Sequence, residues 1–211
     1  DSTPQIIDSF VQNNDHIRYI KNHHNIGVAE TRNKGICSAL GEWIAFLDSD
    51  DRWAPEKLAK QIDFAEKHKA EFVYTGSGFI DENSIRLEFY LAVPERITYL
   101  ELLKQNIISC SSVLIRKDLI VKYPMKHASQ LHEDFAVWLQ ILRDRNINAY
   151  GINEPLLIYR VTSSSKSGNK IKAGIMTFRV YRYIGIAIIP ACYYWCNYFI
   201  KSLRKYRHLI H

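Results

Sequence analysis

The residues best suited to chemistry lie in the stretch IAFLDSDDRWAPEKL, residues 44–58, where aspartates directly follow an apolar run. Asp48, Asp50 and Asp51 are so close in sequence that their charges repel one another unless a cation neutralises them. Oxygen ligands on a loop suit a hard divalent ion, so Asp48 and Asp50 are candidate ligands of Mn²⁺ or Mg²⁺, and the ion would hold a diphosphate. The alternative is that Asp and Ser only turn the chain and cap the helix that begins near Pro55.

The elements that would position these acids alternate between strand and helix. The pattern predicts strands over 16–22, 41–48, about 72–80 and 111–117, and helices over 28–40, from Pro55 onwards and over 133–144. The second helix would turn Leu58, Ile62 and Ala65 inward, and the third would bury Phe135, Leu139 and Leu142. Such alternation is typical of an α/β fold with a mostly parallel central sheet and helices on both faces. Ligands of such sheets bind beyond the carboxyl ends of the strands, where Asp48 and Asp50 stand.

Composition limits the number of domains, the kind of binding partner and the role of the cysteines. A chain of 211 residues is most simply one domain with an appended tail. The net charge of +6 is concentrated in the segment from Arg179 to His211, which holds Lys and Arg but no Asp or Glu. This distribution predicts an anionic surface as partner rather than nucleic acid. The four cysteines lack metal-ligand spacing, so we expect free thiols in a reducing compartment.

The tail contains an uncharged run, YIGIAIIPACYYWCNYFI, from Tyr183 to Ile200. Basic residues flank it on both sides, Pro190 interrupts it, and Tyr193, Tyr194 and Trp195 form an aromatic cluster. These features favour a helical tail that lies in the membrane interface. A membrane-spanning or re-entrant segment and a buried closing helix are the alternatives.

Two segments together resemble a known enzyme family. They are NIGVAETRNKGICSALGEWIAFLDSDDRWAPEKLAKQI, residues 25–62, and HEDFAVWLQIL, residues 132–142. Their combined spacing resembles the family 2 glycosyltransferases of GT-A fold, especially bacterial capsule, O-antigen and exopolysaccharide enzymes, over roughly residues 1–170. The resemblance implies transfer of a single sugar from a nucleotide-diphosphate donor, with a UDP-sugar expected, to a hydroxyl acceptor with inversion at the anomeric carbon.

The resemblance also assigns roles around the donor. Asp48 and Asp50 match the motif that meets the donor ribose and the metal-bound diphosphate, and Asp51 lies beside them. Arg32 and Asn33 match a pair near the donor site, where a guanidinium can orient a carboxylate or phosphate; a solvated Arg on a helix face is the alternative. Trp53 matches an aromatic residue that lines the acceptor or donor pocket, with core packing as the competing interpretation.

Inversion by direct displacement needs a base for the acceptor proton. Glu133 and Asp134 begin a predicted helix, where the helix dipole favours ionised carboxylates. The resemblance favours Asp134 as the base and Glu133 as its support, while the alternative is that acids simply prefer a first helical turn. His132, next to them, is a possible pocket residue but more typical of a local hydrogen-bond partner.

The sequence departs from the family pattern at two places. Asp1, Ser2 and Thr3 resemble the end of a nucleoside-binding element, so the N-terminal strands of the fold are expected to lie upstream of Asp1. No Gln-x-x-Arg-Trp motif of processive synthases follows the Glu-Asp pair; YRVTSSSKSGNKIKAG, residues 159–174, is instead a lid or an ordinary loop. We therefore divide the chain into a GT-A domain, 1–172, and a basic aromatic tail, 173–211.

The sequence thus predicts a metal-dependent, inverting glycosyltransferase at the cytoplasmic face of the cell membrane, where a lipid-linked or saccharide acceptor would be found. Two rivals remain. One is an enzyme that makes nucleotide sugars, which would show a glycine-rich loop with a lysine near its first strand. The other is a truncated or degenerate homologue that serves as a membrane-bound scaffold or sugar-binding module.

Overall fold

One curled, seven-stranded sheet with helices packed on it organises the molecule. The computed structural model describes residues 2–127, 129–162 and 170–205. The strands are β1 (Trp43–Ala45), β2 (Arg52–Trp53), β3 (Phe72–Ile80), β4 (Arg86–Leu91), β5 (Arg96–Ile97), β6 (Leu114–Arg116) and β7 (Ala149–Arg160). The helices are α1 (Thr3–Gln12), α2 (Val28–Ser38), α3 (Lys57–His68), α4 (Tyr99–Lys104), α5 (Lys117–Ile120), α6 (Glu133–Arg145), α7 (Lys170–Tyr183) and α8 (Ile188–Lys205).

The sheet follows the order β1-β6-β3-β7-β2, with β4 paired to β3 and β5 paired to β7. Among these described strands only β3 and β7 pair in parallel, and the other pairs are antiparallel. The α/β class is confirmed, but the expectation of mostly parallel pairing was wrong. The reason is that β6 lies between β1 and β3 and runs antiparallel to both. Strands β1 and β3 therefore run in the same direction but are not neighbours in the sheet.

Several predicted elements are present and some are not. Strand β3 has the predicted bounds, and all of its residues are buried. The stretch 16–22 forms no strand; its side chains bond to α2 instead, Asn22 to Thr31 and Arg18 to the carbonyl of Ser38. Strand β1, predicted to be central, has only β6 as a neighbour within the described residues. Helix α1 was not predicted, and none of its residues is buried.

The core brings helix α6 against the end of β1. Trp138 of α6 packs edge-on against Phe72 of β3, with ring centroids 5.1 Å apart, and lies 6.1 Å from Phe46, just after β1. The predicted inward residues Phe135, Leu139 and Leu142 are all buried. Because Phe46 is two residues before Asp48, this packing brings the start of α6 towards the acidic loop.

Helix α3 buries a different face from the one that its apolar residues predict. Lys57, Gln61 and Ala65 are buried, whereas Leu58 is exposed and Ile62 only half-buried. Lys57 is fully buried, and its Nζ donates to Gln61 Oε1 at 2.7 Å. Burial lowers the pKa of the Lys57 amine to about 7. The prediction is confirmed for Ala65 and wrong for Leu58, because polar partners inside the protein accept the lysine, which periodicity of apolar residues cannot reveal.

The two C-terminal helices pack against the body of the protein. Tyr181 of α7 is buried and donates to the carbonyl of Leu103 at 2.6 Å, and Ala191 of α8 is also buried. Trp195 of α8 donates to the carbonyl of Gly174 at 2.7 Å, which joins α8 to α7. The boundary that we drew at residue 172 therefore falls inside α7. Within the described residues, no helix is both long and apolar enough to cross a bilayer.

Lys57→Met is expected to flatten the pH dependence of stability. Between about pH 7 and the ordinary lysine pKa of about 10.4, the unfolded chain binds a proton at Lys57 that the folded chain does not. The free energy of unfolding of the wild type should therefore rise with pH in this window, by at most about 1.4 kcal/mol per pH unit relative to Lys57→Met. Urea unfolding of both proteins across this window measures the difference.

Lys60→Met is the matched control, because Lys60 lies on the same helix but forms an exposed ion pair with Glu154. It should leave the slope of stability against pH unchanged up to about pH 9. Parallel curves for the wild type and Lys57→Met would contradict the lowered pKa.

Candidate active site

The acidic loop follows β1 and turns sharply. The N–H of Asp51 donates to the carbonyl of Asp48 at 3.0 Å, which closes the turn that the Asp and Ser residues predicted. Arg160, at the end of β7, holds this turn from one side: its Nε donates to the carbonyl of Asp50 at 3.0 Å, and its backbone N–H donates to Asp51 at 3.1 Å. The loop thus lies at the sheet edge where β7 ends.

Ser111 holds the same loop from the other side. Its Oγ accepts the backbone N–H of Asp48 at 3.1 Å, and its carbonyl accepts the indole N–H of Trp53 at 2.7 Å. Ser111 belongs to a short 3-10 turn, Cys110–Ser112, directly before β6. Sequence analysis missed Ser111 and Arg160 as supports, and no local pattern distinguishes them from ordinary residues near strand ends.

The three aspartates have different environments. Asp51 is buried, and burial raises the pKa of its carboxyl group, although hydrogen bonds from Ser111 and the Arg160 backbone oppose that rise. Asp50 is exposed, and within the described residues its carboxylate has no hydrogen bond or ion pair. Asp48 is half-exposed and uses Oδ1 for an ion pair. Asp51 therefore supports the loop, while the carboxylates of Asp48 and Asp50 are at least partly exposed to solvent.

Arg32 of α2 joins the acidic loop to the start of α6. Its Nη2 lies 2.5 Å from Asp48 Oδ1 and its Nη1 lies 2.8 Å from Glu133 Oε1. The Arg32 and Glu133 side chains are only 13% and 7% exposed. Burial alone would lower the pKa of Arg32, but Cys110, Asp48 and Asp134 raise it above its ordinary value, so the guanidinium is always charged. A solvated Arg on a helix face, the alternative considered above, does not fit this geometry.

The predicted acid pair forms the first turn of α6. Asp134 is half-buried, and its Oδ1 accepts the N–H of Phe135 at 2.8 Å. Glu133 points inward and pairs with Arg32. Asp134 also lies close enough for its charge to raise the pKa of Arg32. His132 precedes them, and its Nε2 lies 3.3 Å from the carbonyl of Ala173, so it donates a hydrogen bond that ties α6 to α7.

Two other predicted residues act through the protein framework in this structure. The Asn33 amide makes reciprocal hydrogen bonds of 2.9 Å with the backbone N–H and carbonyl of Met125. Trp53 donates to Ser111, and the Lys57 amine lies 4.2 Å from the centre of its ring. Direct donor or acceptor contacts of Asn33 and Trp53 remain predictions. Residues 163–169 of the predicted lid, 159–174, lie outside the described residues.

The chemistry of the loop fits a divalent ion that is shared with a phosphate ligand. Within the described part of the chain, no cluster of three or more His, Cys, Asp or Glu side chains could enclose a metal. Asp48 Oδ2 and both Asp50 oxygens remain available for an ion. Mg²⁺ is usually held by one or two carboxylates together with phosphate oxygens and water, which matches this donor set.

Comparison with known proteins identifies the family of this chain. The sequence profile described as glycosyl transferase family 2 matches residues 1–122. The chain is 35% identical over 184 residues to the putative teichuronic acid biosynthesis glycosyltransferase TuaG of Bacillus subtilis, which covers 87% of this chain and 72% of that protein. It is 34% identical to the UDP-Glc:alpha-D-GlcNAc-diphosphoundecaprenol beta-1,3-glucosyltransferase WfgD of Escherichia coli, over 90% of this chain and 74% of that protein.

Solved structures share the fold. S. aureus TarS 1-349 in complex with UDP-GlcNAc aligns with a TM-score of 0.66 at 17% identity, over 87% of this chain and 53% of that chain. The mannosyltransferase PcManGT from Pyrobaculum calidifontis, in complex with GDP-Man and Mn²⁺, aligns with a TM-score of 0.63 at 14% identity, over 100% of this chain and 58% of that chain. The chain spans a little more than half of each, and the predicted GT-A fold is confirmed.

Arg32→Met is expected to destabilise the protein by about 3 kcal/mol, because it removes the positive partner of both Asp48 and the buried Glu133. Urea unfolding at neutral pH measures the loss. Arg32→Met combined with Glu133→Gln should lose less, since the second substitution removes one of the two negative charges that Arg32 had paired. Arg116→Met, which breaks an exposed ion pair with Glu42, is the control and should cost less than about 1 kcal/mol. Equal losses for Arg32→Met and Arg116→Met would contradict the assigned role of Arg32.

Proposed function

Because this chain belongs to glycosyl transferase family 2, we propose that it transfers a single sugar from a UDP-sugar to a hydroxyl group of a lipid-linked or saccharide acceptor, with inversion. The observation that carries the proposal is the bridge of Arg32 between Asp48 and Glu133, which joins the acidic loop to the acid pair of α6. The names of TuaG and WfgD support a role in bacterial cell-surface polysaccharide synthesis.

The donor end of the site consists of Asp48 and Asp50. Bound between these carboxylates and the donor diphosphate, Mn²⁺ or Mg²⁺ would offset the negative charge that the departing diphosphate gains. Arg32 fixes the orientation of Asp48 through their ion pair, and Arg160 and Ser111 fix the backbone on either side of Asp50. The open carboxylate of Asp50 supports the metal assignment, because an exposed acid without a protein partner is available to a ligand.

The acceptor end of the site is the first turn of α6. The acceptor oxygen forms a bond to the anomeric carbon from the side opposite the diphosphate, the bond from that carbon to the diphosphate oxygen breaks, and Asp134 takes the hydroxyl proton. Glu133 is held by Arg32 and so acts as support rather than as the base.

Asp50→Asn and Asp134→Asn should separate binding from transfer. Asp50→Asn is expected to weaken Mn²⁺-dependent UDP binding by about 10-fold or more, because it removes a metal ligand. Asp134→Asn should leave this binding unchanged and slow sugar transfer by about 10²-fold or more. Isothermal titration with UDP and GDP measures binding, and sugar incorporation into membrane lipid extracts measures transfer.

The two variants also distinguish the rival functions. Full metal-dependent binding by Asp50→Asn would remove the metal assignment, and full transfer by Asp134→Asn would reassign the base. A wild-type protein that binds nucleotide sugar but never transfers it would favour the sugar-binding module. One that binds neither UDP nor GDP would favour a scaffold.

Helix α8 supplies the proposed contact with the cytoplasmic face of the membrane. One side of the helix packs on the body, and the opposite side presents large apolar residues to solvent. Ile189 is 81% exposed, Tyr193 57% and Ile200 53%, and their spacing places them on one face. Cys196 on the same face is also exposed. Such a face fits the boundary between lipid headgroups and acyl chains.

Charge complements this face. No Asp or Glu occurs after Glu154 in the sequence, whereas Lys and Arg occur on both sides of the apolar run. Each Lys or Arg near an anionic membrane contributes about 1 kcal/mol of attraction. A peripheral enzyme held in this way would act on acceptors whose lipid part stays in the bilayer.

Ile189→Glu combined with Tyr193→Glu is expected to reduce binding to vesicles that contain phosphatidylglycerol by more than about 10-fold, because each buried apolar side chain contributes about 1.5 to 3 kcal/mol. Sedimentation with vesicles measures the bound fraction. Leu40→Glu is the control, since Leu40 is 86% exposed but lies at the end of α2. Equal binding by both variants would contradict the assignment to α8, and binding that ignores the anionic lipid would contradict the role of charge.

A further inference from the structure

A buried lysine lies beneath the acidic loop and has no role in the mechanism above. Lys57 is fully buried, and within the described residues it forms no ion pair with an acid. Its Nζ donates to Gln61 Oε1 at 2.7 Å and lies 4.2 Å from the centre of the Trp53 ring. Burying an amine in this way costs free energy that an apolar side chain of the same length would not cost. Its presence therefore calls for a reason other than packing.

The contacts of Lys57 continue to the turn that precedes β6. The Gln61 amide, also fully buried, donates to the carbonyl of Ser112 at 3.0 Å. Trp53 donates from its indole nitrogen to the carbonyl of Ser111 at 2.7 Å. Lys57 contacts both Gln61 and Trp53, and these two side chains bond to the carbonyls of the consecutive residues Ser112 and Ser111. The four side-chain contacts therefore form a closed ring. We call Lys57, Gln61, Trp53, Ser111 and Ser112 the polar brace.

The polar brace is joined directly to the residues that present the donor ligands. Ser111 Oγ accepts the backbone N–H of Asp48 at 3.1 Å, and Ser111 also bonds to the buried carboxyl group of Asp51. Trp53 belongs to β2, whose pairing with β7 begins just after the loop. A displacement of the turn at Ser111 would therefore move both ends of the loop that holds Asp48 and Asp50.

We propose that Lys57 is a positioning residue for the donor site: through Gln61 and Trp53 it fixes the turn at Ser111, and so sets the spacing of the Asp48 and Asp50 carboxylates. This role rests on the proposed function of these two aspartates as metal and diphosphate ligands. The amine suits the task because it contacts an acceptor oxygen on its own helix and the face of an aromatic ring on the neighbouring strand at once. Methionine fills similar space but makes neither polar contact.

The test compares Lys57→Met with the control Lys60→Met, using two measurements. The first is the Mn²⁺ concentration that gives half-maximal UDP binding, followed by isothermal titration. Residues that support metal ligands typically alter metal affinity by about 10-fold to 100-fold, so Lys57→Met should raise this concentration by about 10-fold. Lys60→Met should leave it unchanged, because Lys60 forms an exposed ion pair with Glu154 at the surface.

The second measurement does not depend on nucleotide. Hydrogen exchange followed by mass spectrometry reports the backbone N–H of Asp48, which donates to Ser111 Oγ, and that of Asp51, which donates to the Asp48 carbonyl. Lys57→Met should speed exchange in the peptide over residues 46–54 and leave β3 unchanged, which also shows that the variant is folded. If Lys57→Met does not fold, Lys57→Met with Gln61→Leu replaces it; the second change removes the unpaired oxygen and also the bond to the Ser112 carbonyl, so this variant tests the polar brace as a whole.

The outcomes separate this role from the proposed function. Faster loop exchange together with a raised Mn²⁺ requirement supports the positioning role. Faster exchange with an unchanged Mn²⁺ requirement would mean that Lys57 only stabilises the fold, and this result would overturn the proposal. Unchanged exchange in residues 46–54 would also overturn it. A wild type that shows no metal-dependent nucleotide binding would instead overturn the proposed function, and with it the donor-site role of Lys57, whatever the exchange rates show.

Discussion

The candidate site depends on one buried charge, the guanidinium of Arg32. Asp48 and Glu133 come from distant parts of the sequence, and in a partly buried site two carboxylates repel each other and lose hydration. Arg32 offsets both costs because its planar group bonds one acid with each of two nitrogens. The acidic loop and the acid pair of α6 are thus held together by one side chain. In the proposed transfer, charges fixed in advance in this way would stabilise the departing diphosphate.

The arrangement of the sheet provides the rest of the support. Strand β6 runs between β1 and β3, and the turn before it puts Ser111 under the acidic loop. Strand β7 ends beside the same loop and contributes Arg160. The loop therefore lies between two strands that follow it by many residues in the sequence. Support from both sides leaves the Asp50 carboxylate free for a ligand while its backbone is fixed.

The C-terminal helices link the site to its surroundings. Helix α7 is bonded to the start of α6 through His132 and Ala173, and α8 packs on α7 through Trp195. One face of α8 is thus anchored near the acid pair, and its opposite face exposes apolar side chains. Of the alternatives left open by the sequence, packing of α8 on the body fits a closing helix, while an interfacial contact of its opposite face stays a proposal. A membrane contact at α8 would hold the acceptor end of the site near the lipid surface.

The sequence alone determined the family and several local elements. Periodicity and turn residues predicted β3, α2 and α6 closely, and the family spacing selected Asp48, Asp50, Glu133 and Asp134 as candidate site residues, because these signals depend on neighbouring residues. Only the tertiary structure decided which strands are neighbours, that Arg32 joins the two acid groups, that Asn33 and Trp53 bond to the protein framework, and that α3 buries Lys57 instead of Leu58. These features depend on contacts between residues far apart in the chain, and a buried polar group is stable only where a distant partner satisfies it.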